Sequence, residues 1–174
     1  MTPVIMLLKL ILQHIYSRGG RAVCCDSQLV LLVYYSFSGK TARVAKLIAG
    51  YIPCDTEQII TVSSYPLNRV LIHRILARLG PRHRPVILRP RHKVSNYGTV
   101  IIGMPVWNNG IPNPMLSFLE SVDWRGIRVY PFFTSGGLYV NALSQLQNTC
   151  KGAGITDPLY IIFDSDGNIT DVRE

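Results

Sequence analysis

Leu29-Val30-Leu31-Leu32-Val33-Tyr34-Tyr35-Ser36-Phe37-Ser38-Gly39-Lys40-Thr41 opens as an apolar, branched run and closes in hydroxyls around one glycine. The first half reads as a buried strand, Leu29–Tyr34. A helical pattern follows at once, Thr41–Tyr51, with Val44, Leu47 and Ile48 on one face and Pro53 closing the unit. Strand, small-residue loop, helix is how an α/β protein turns backbone N–H groups towards an anion.

Outward from that stretch the same alternation continues. Gln58–Val62 is a second predicted strand. Pro66–Leu79 is a helix with Leu71, Ile72, Ile75, Leu76 and Leu79 on one stripe, stopped by Gly80-Pro81. Arg82–Ser95 is a basic loop whose Pro85 and Pro90 argue against regular structure. Thr99–Met104 has the doubly apolar character of a central parallel strand. A loop at Pro105–Asn113, a helix at Pro114–Val122, a strand at Ile127–Phe133 and a small-residue loop at Thr134–Gly137 follow. A helix at Tyr139–Cys150, a strand at Leu159–Phe163 and an acidic tail at Asp164–Glu174 complete the chain. This βαβαβαβαβ pattern predicts an α/β fold: a three-layer, doubly wound, five-stranded parallel sheet with helices on both faces.

The 174 residues suit one domain, placed at 29–174, with 1–28 as an N-terminal extension of different character. In that extension the apolar run Val4–Leu12 is broken by Lys9, so it reads poorly as a secretory signal. No apolar run reaches the roughly 20 residues of a membrane span. Four cysteines without a C-x-x-C pair resemble neither a disulfide framework nor a zinc site, and predict a reducing, cytoplasmic setting.

The net charge is +8, from 18 basic and 10 acidic residues, and its distribution is uneven. No acid lies between Glu57 and Glu120, while Arg69, Arg74, Arg78, Arg82, Arg84, Arg89, Arg91 and Lys93 do, with His73, His83 and His92. Such a field draws anionic partners or is simply a solvated face; the histidines in it are expected to be solvated rather than catalytic. A protein with an acidic docking face is expected ahead of nucleic acid.

In doubly wound sheets ligands bind beyond the carboxyl ends of the strands, where strand order reverses. Three loops fit. Gly39-Lys40-Thr41 ends like a triphosphate-binding P-loop, but that pattern needs glycine at position 34, which is Tyr34. A monophosphate suits the loop better: Ser36, Ser38 and Thr41 offer hydroxyls and Gly39 allows close backbone approach. Lys40 either adds charge there or points to solvent. The second loop, Pro105-Val106-Trp107-Asn108-Asn109-Gly110, sets a tryptophan at a strand's carboxyl end, where a flat ring would cover it. The third, Thr134-Ser135-Gly136-Gly137, could offer N–H groups to a ring edge. Taken singly, an ordinary turn or a Trp packed on its own helix explains each loop.

Together these residues resemble the flavodoxin family, closest to the short flavodoxin-like proteins of bacteria. Tyr35–Thr41 is similar to the family's Y-S-x-T-G-N-T phosphate loop, Gly103–Trp107 to its G-x-P-V-W, Ser117–Glu120 to its S-F-L-E and Phe133–Gly137 to its F-x-T-S-G-G. The likeness runs from about Leu29 to Phe163. It implies strand order 2-1-3-4-5 and FMN as the cofactor. Ser36, Ser38, Gly39, Lys40 and Thr41 would hold the phosphate, Trp107 would lie against the isoalloxazine, and Ser135, Gly136 and Gly137 would face its pyrimidine edge. Phe37, Pro105, Val106 and Thr134 would complete the cofactor site. The backbone of Asn108, Asn109 and Gly110 would respond to the proton that reaches N5 on reduction. Lys40 replaces the family's asparagine, Ser38 its threonine, and Asn108-Asn109 stands where a second tryptophan or glycine is common. A pI near 9.6 departs from the acidity of electron-carrying flavodoxins.

Other uses of such a fold are excluded. A phosphoacceptor receiver needs acids where Ser36 and Met104 stand, and no G-x-S-x-G elbow marks a hydrolase. Asp164-Ser165-Asp166-Gly167-Asn168 misses the calcium-loop spacing and reads as a turn. No catalytic acid–base residue and no metal ligand set is predicted. An electron carrier is the leading expectation. The alternatives are an NAD(P)H oxidoreductase reducing a quinone-type acceptor and a non-redox basic scaffold that binds an anionic partner.

Overall fold

The computed structural model describes residues 29–63, 80, 82–137 and 141–173. The expected extension 1–28 and the expected helix Pro66–Leu79 lie outside the described residues.

Among the described residues five main strands build the parallel part of the sheet, β1 (Val30–Tyr34), β2 (Asp55–Gln58), β3 (Thr99–Pro105), β4 (Arg128–Ser135) and β6 (Leu159–Phe163), with a two-residue β5 (Gly154–Ile155) also parallel beside β4. Their order is β2-β1-β3-β4-β6, which is the order 2-1-3-4-5 of the five expected strands. The reversal between β1 and β3 makes the switch point. β7 (Ile169–Arg173) then adds an antiparallel edge against β6.

Helices α1 (Lys40–Ala49), α2 (Asn113–Leu119) and α3 (Ala142–Thr149) cover the two faces. In β1, Leu31 and Val33 enter one core and Leu32 the other, so alternate residues serve opposite faces and the strand is apolar throughout. α1 buries Val44, Ala45 and Ile48 against the Leu32 side. α2 and α3 bury Met115, Leu116, Phe118, Ala142 and Leu146 against the Leu31 side. Pro114 sits in the first turn of α2, where its missing N–H costs no helical bond.

Three expectations are corrected. The second strand is Asp55–Gln58, not Gln58–Val62: Ile59 N still donates to Tyr34 O at 2.8 Å, then the chain leaves the sheet. Ile60–Val62 instead pairs antiparallel with Val86–Leu88, within the loop expected to lack regular structure. The tail holds a strand. Its burial, Ile169 and Val172 three apart, defeats a period-two reading because a register shift at Ile162/Phe163 displaces the pairing.

The basic loop is anchored by the acids that bound it in sequence. Glu57, 6% exposed, accepts from Arg91 N, His92 N and His92 Nδ1. Arg84 makes a two-point pair with Glu120, at 2.8 and 2.7 Å, and this holds the Glu120 carboxyl below its usual range. His92, expected to be solvated, is therefore part of a buried carboxylate's hydrogen-bond shell.

Candidate functional site

The loops after β1, β3 and β4 converge on one cavity of about 480 Å3 at the carboxyl end of the sheet. Its walls include Phe37, Ser38, Lys40 and Thr41 from the first loop, Pro105–Asn108 from the second and Thr134–Gly136 from the third. The expected site is thus brought together from segments far apart in sequence.

At one end the geometry is that of an anion cradle. Gly39 takes φ +87°, open to glycine with little cost, and caps α1. Ser36 Oγ accepts from Ala42 N at 3.1 Å and closes the loop onto the helix. The N–H groups of Ser38, Gly39, Lys40 and Thr41 have no protein acceptor among the described residues. They lie at the positive end of α1. Thr41 Oγ1 is 2.8 Å from Thr134 Oγ1, both buried, which ties this loop to the end of β4.

Lys40 does not extend to solvent. Its Nζ donates to Asp164 O at 2.9 Å and stands 5.3 Å from the centre of the Phe163 ring. Arg43 Nη1 reaches Gly167 O at 3.0 Å, so two cations of α1 hold the turn between β6 and β7. Phe163, Asp164 and Ser165 form a wall of the cavity that the sequence reading missed. The Asp164 carboxylate accepts from Asn168 N and Asn168 Nδ2, which lowers its pKa and turns it into its own hairpin.

At the other end the cavity is apolar. Trp107 is half-buried and meets the rings of Tyr35 and Phe37 edge to face, at 5.5 and 5.7 Å. Trp107 and Gly110 exchange both backbone hydrogen bonds, at 3.0 and 2.9 Å, around Asn108 and Asn109 at φ 47° and 62°. Two successive left-handed residues make a type I′ turn, which asparagine tolerates. Asn108 lines the cavity. Asn109 and Gly110 turn towards α3: Asn109 O accepts from Asn141 N, and a side chain at Gly110 would meet Gln145 Oε1 at 2.7 Å. Gly137 N donates to Ser135 Oγ at 2.8 Å, shaping the third loop from outside the cavity wall.

The donor chemistry fits a ligand with a phosphate at one end and a flat ring at the other. Free N–H groups and an ammonium face the first, and Trp107, Val106 and Pro105 face the second.

The flavodoxin family model matches residues 29–161. The chain belongs to the flavodoxin family. Similar solved structures include a candidate flavoprotein from Bacteroides uniformis, 29% identical over 80% of this chain and 94% of that one, with TM-score 0.70. A second, from Bacteroides eggerthii, is 26% identical over 76% and 87%, with TM-score 0.67. A flavoprotein in complex with FMN from Lactobacillus acidophilus is 24% identical over 77% and 93%, with TM-score 0.68. No curated protein matches the chain. Among the described residues no helix of this flavodoxin is long and apolar enough to cross a membrane.

Proposed function

We propose that this flavodoxin binds FMN in the cavity and acts as an electron carrier. Family membership and an FMN-complexed structural neighbour support FMN as the cofactor. When bound, FMN supplies the redox chemistry and the protein supplies binding, orientation and electrostatics. Ser38, Lys40, Thr41 and the N–H groups around Gly39 hold the phosphate, with Ser36 and Phe37 shaping their loop. Pro105, Val106 and Trp107 cover the ring and exclude water from one side. Thr134, Ser135 and Gly136 face its polar edge, with Gly137 setting the loop. Asn108 lies beside the ring, while Asn109 and Gly110 hold the turn that carries Trp107.

One observation supports the carrier reading. Among the described residues, the acidic or basic side chains lining the cavity are Lys40 and Asp164. The first is bonded to a carbonyl and the second is turned into its own hairpin, so neither is poised over the cavity as a general acid or base. The basic surface suits a redox partner with an acidic face, and the free thiols of Cys54 and Cys150 suit a reducing setting such as the cytoplasm.

NAD(P)H oxidation by the FMN-loaded protein tests the reading, with quinones and dyes as acceptors. The carrier reading expects no turnover above that of free FMN. Sustained turnover with any of them would make the protein an oxidoreductase instead.

A further inference from the structure

Ile60–Val62 and Val86–Leu88 form a short antiparallel ribbon beyond the end of β2. Val62 N donates to Val86 O at 2.9 Å, Leu88 N to Ile60 O at 2.8 Å, and Thr61 lies opposite Ile87. In that register Ile60, Val62, Val86 and Leu88 share one face, and Thr61 and Ile87 the other. Ile87 packs on the core. The four residues of the outer face are 48%, 60%, 73% and 52% exposed, and are four of the six large hydrophobics exposed among the described residues. Exposed aliphatics clustered on one face mark an interaction site where scattered ones do not.

The surroundings say what kind of partner fits. Arg82, Arg89, Arg91 and Lys93 are exposed along the same connection. The nearby acids are committed elsewhere: Glu57 to the backbone and ring of His92, Glu120 to Arg84. Arg91 Nε is 4.0 Å from Glu57 with its side chain 78% exposed, and its charge still faces water. β2 runs parallel to β1, so the ribbon lies at the same end of the sheet as the cavity.

We propose that this ribbon is a docking face for an acidic protein, which sets an aliphatic patch on Ile60, Val62, Val86 and Leu88 and carboxylates on the surrounding arginines. An apolar centre inside a charged rim is the anatomy of a protein interface. The cationic rim disfavours a second copy of this chain. The proposal stands on the ribbon and its charges and does not depend on FMN.

The test uses the full chain and an acidic peptide alternating leucine with glutamate, followed by amide NMR. The peptide is expected to shift the amides of residues 60–62 and 86–91. Binding should weaken at least about tenfold between about 50 and 500 mM salt. Val86→Glu and Arg89→Glu, both at exposed positions, should each weaken it at least about tenfold while the other amide signals stay in place. Poly-glutamate, which lacks the apolar edge, should bind at least about tenfold more weakly. No localised shift, unchanged binding by Val86→Glu, preference for phosphatidylglycerol vesicles or duplex DNA over the peptide, or self-association through these residues would each overturn the proposal. FMN binding, measured in parallel, reports on the cavity separately.

Discussion

Thr41 Oγ1 and Thr134 Oγ1 lie 2.8 Å apart in the interior and join the loop after β1 to the end of β4. Replacing either by valine leaves the other hydroxyl buried and unpaired, at a cost of about 1–3 kcal/mol. Replacing both removes the orphaned group, so the double variant should lose less than the sum of the singles. Urea unfolding of the three variants checks this; strict additivity would show that the bond carries no coupling.

Trp107 covers the apolar end of the cavity, and its ring is braced edge to face by Tyr35 and Phe37. Trp107→Ala should weaken FMN binding at least about tenfold, and the loss of its two edge-to-face contacts should cost about 1–3 kcal/mol of global stability. Flavin fluorescence titration against thermal unfolding separates the two effects.

Lys40 presents a cation already held by Asp164 O. Lys40→Gln should weaken FMN about tenfold at low salt and flatten the salt dependence, while riboflavin, which has no phosphate, binds as before. Equal losses for both flavins would mean that Lys40 acts only by holding the turn between β6 and β7.

Asn109 sits at φ 62° in the turn that carries Trp107. A branched residue is strained there. Asn109→Val should cost about 1–2 kcal/mol in urea unfolding, and Asn109→Gly should be nearly neutral.

Tyr97 gives a pH dependence. Burial, then the hydrogen bond from its OH to Asp55 Oδ2 at 2.7 Å and the charges of Asp55 and Glu57, push the phenol up to about 12 from 10.0. The folded state keeps the proton that the unfolded chain loses, so this contribution is intact below pH 10.0 and is lost as pH rises to about 12. Tyr97→Phe should flatten stability across that window; an unchanged alkaline slope would assign it to other groups.

Much of this was legible in the chain. Doubly apolar Leu31–Val33 and Val100–Ile102 read as central strands; glycine with hydroxyls marked the loops at the ends of β1 and β4, and a tryptophan marked the loop after β3. Asp55-Thr56-Glu57-Gln58 could not be read as a strand, because its one buried side chain is a glutamate satisfied by a loop more than 30 residues away. The branched residues that did look like a strand, Ile60 and Val62, belong to the exposed ribbon. Phe163, Asp164 and Ser165 carry no motif of their own. Their signal was topological: β6 lies beside β4 and points the same way, so its following turn must reach the same end of the sheet.

The most direct measurement is titration of the purified protein with FMN, following the quenching of flavin fluorescence. Saturable quenching at one FMN per chain is expected, with riboflavin binding more weakly. Unquenched fluorescence up to high protein concentration would contradict it and leave the protein a basic scaffold of the flavodoxin fold.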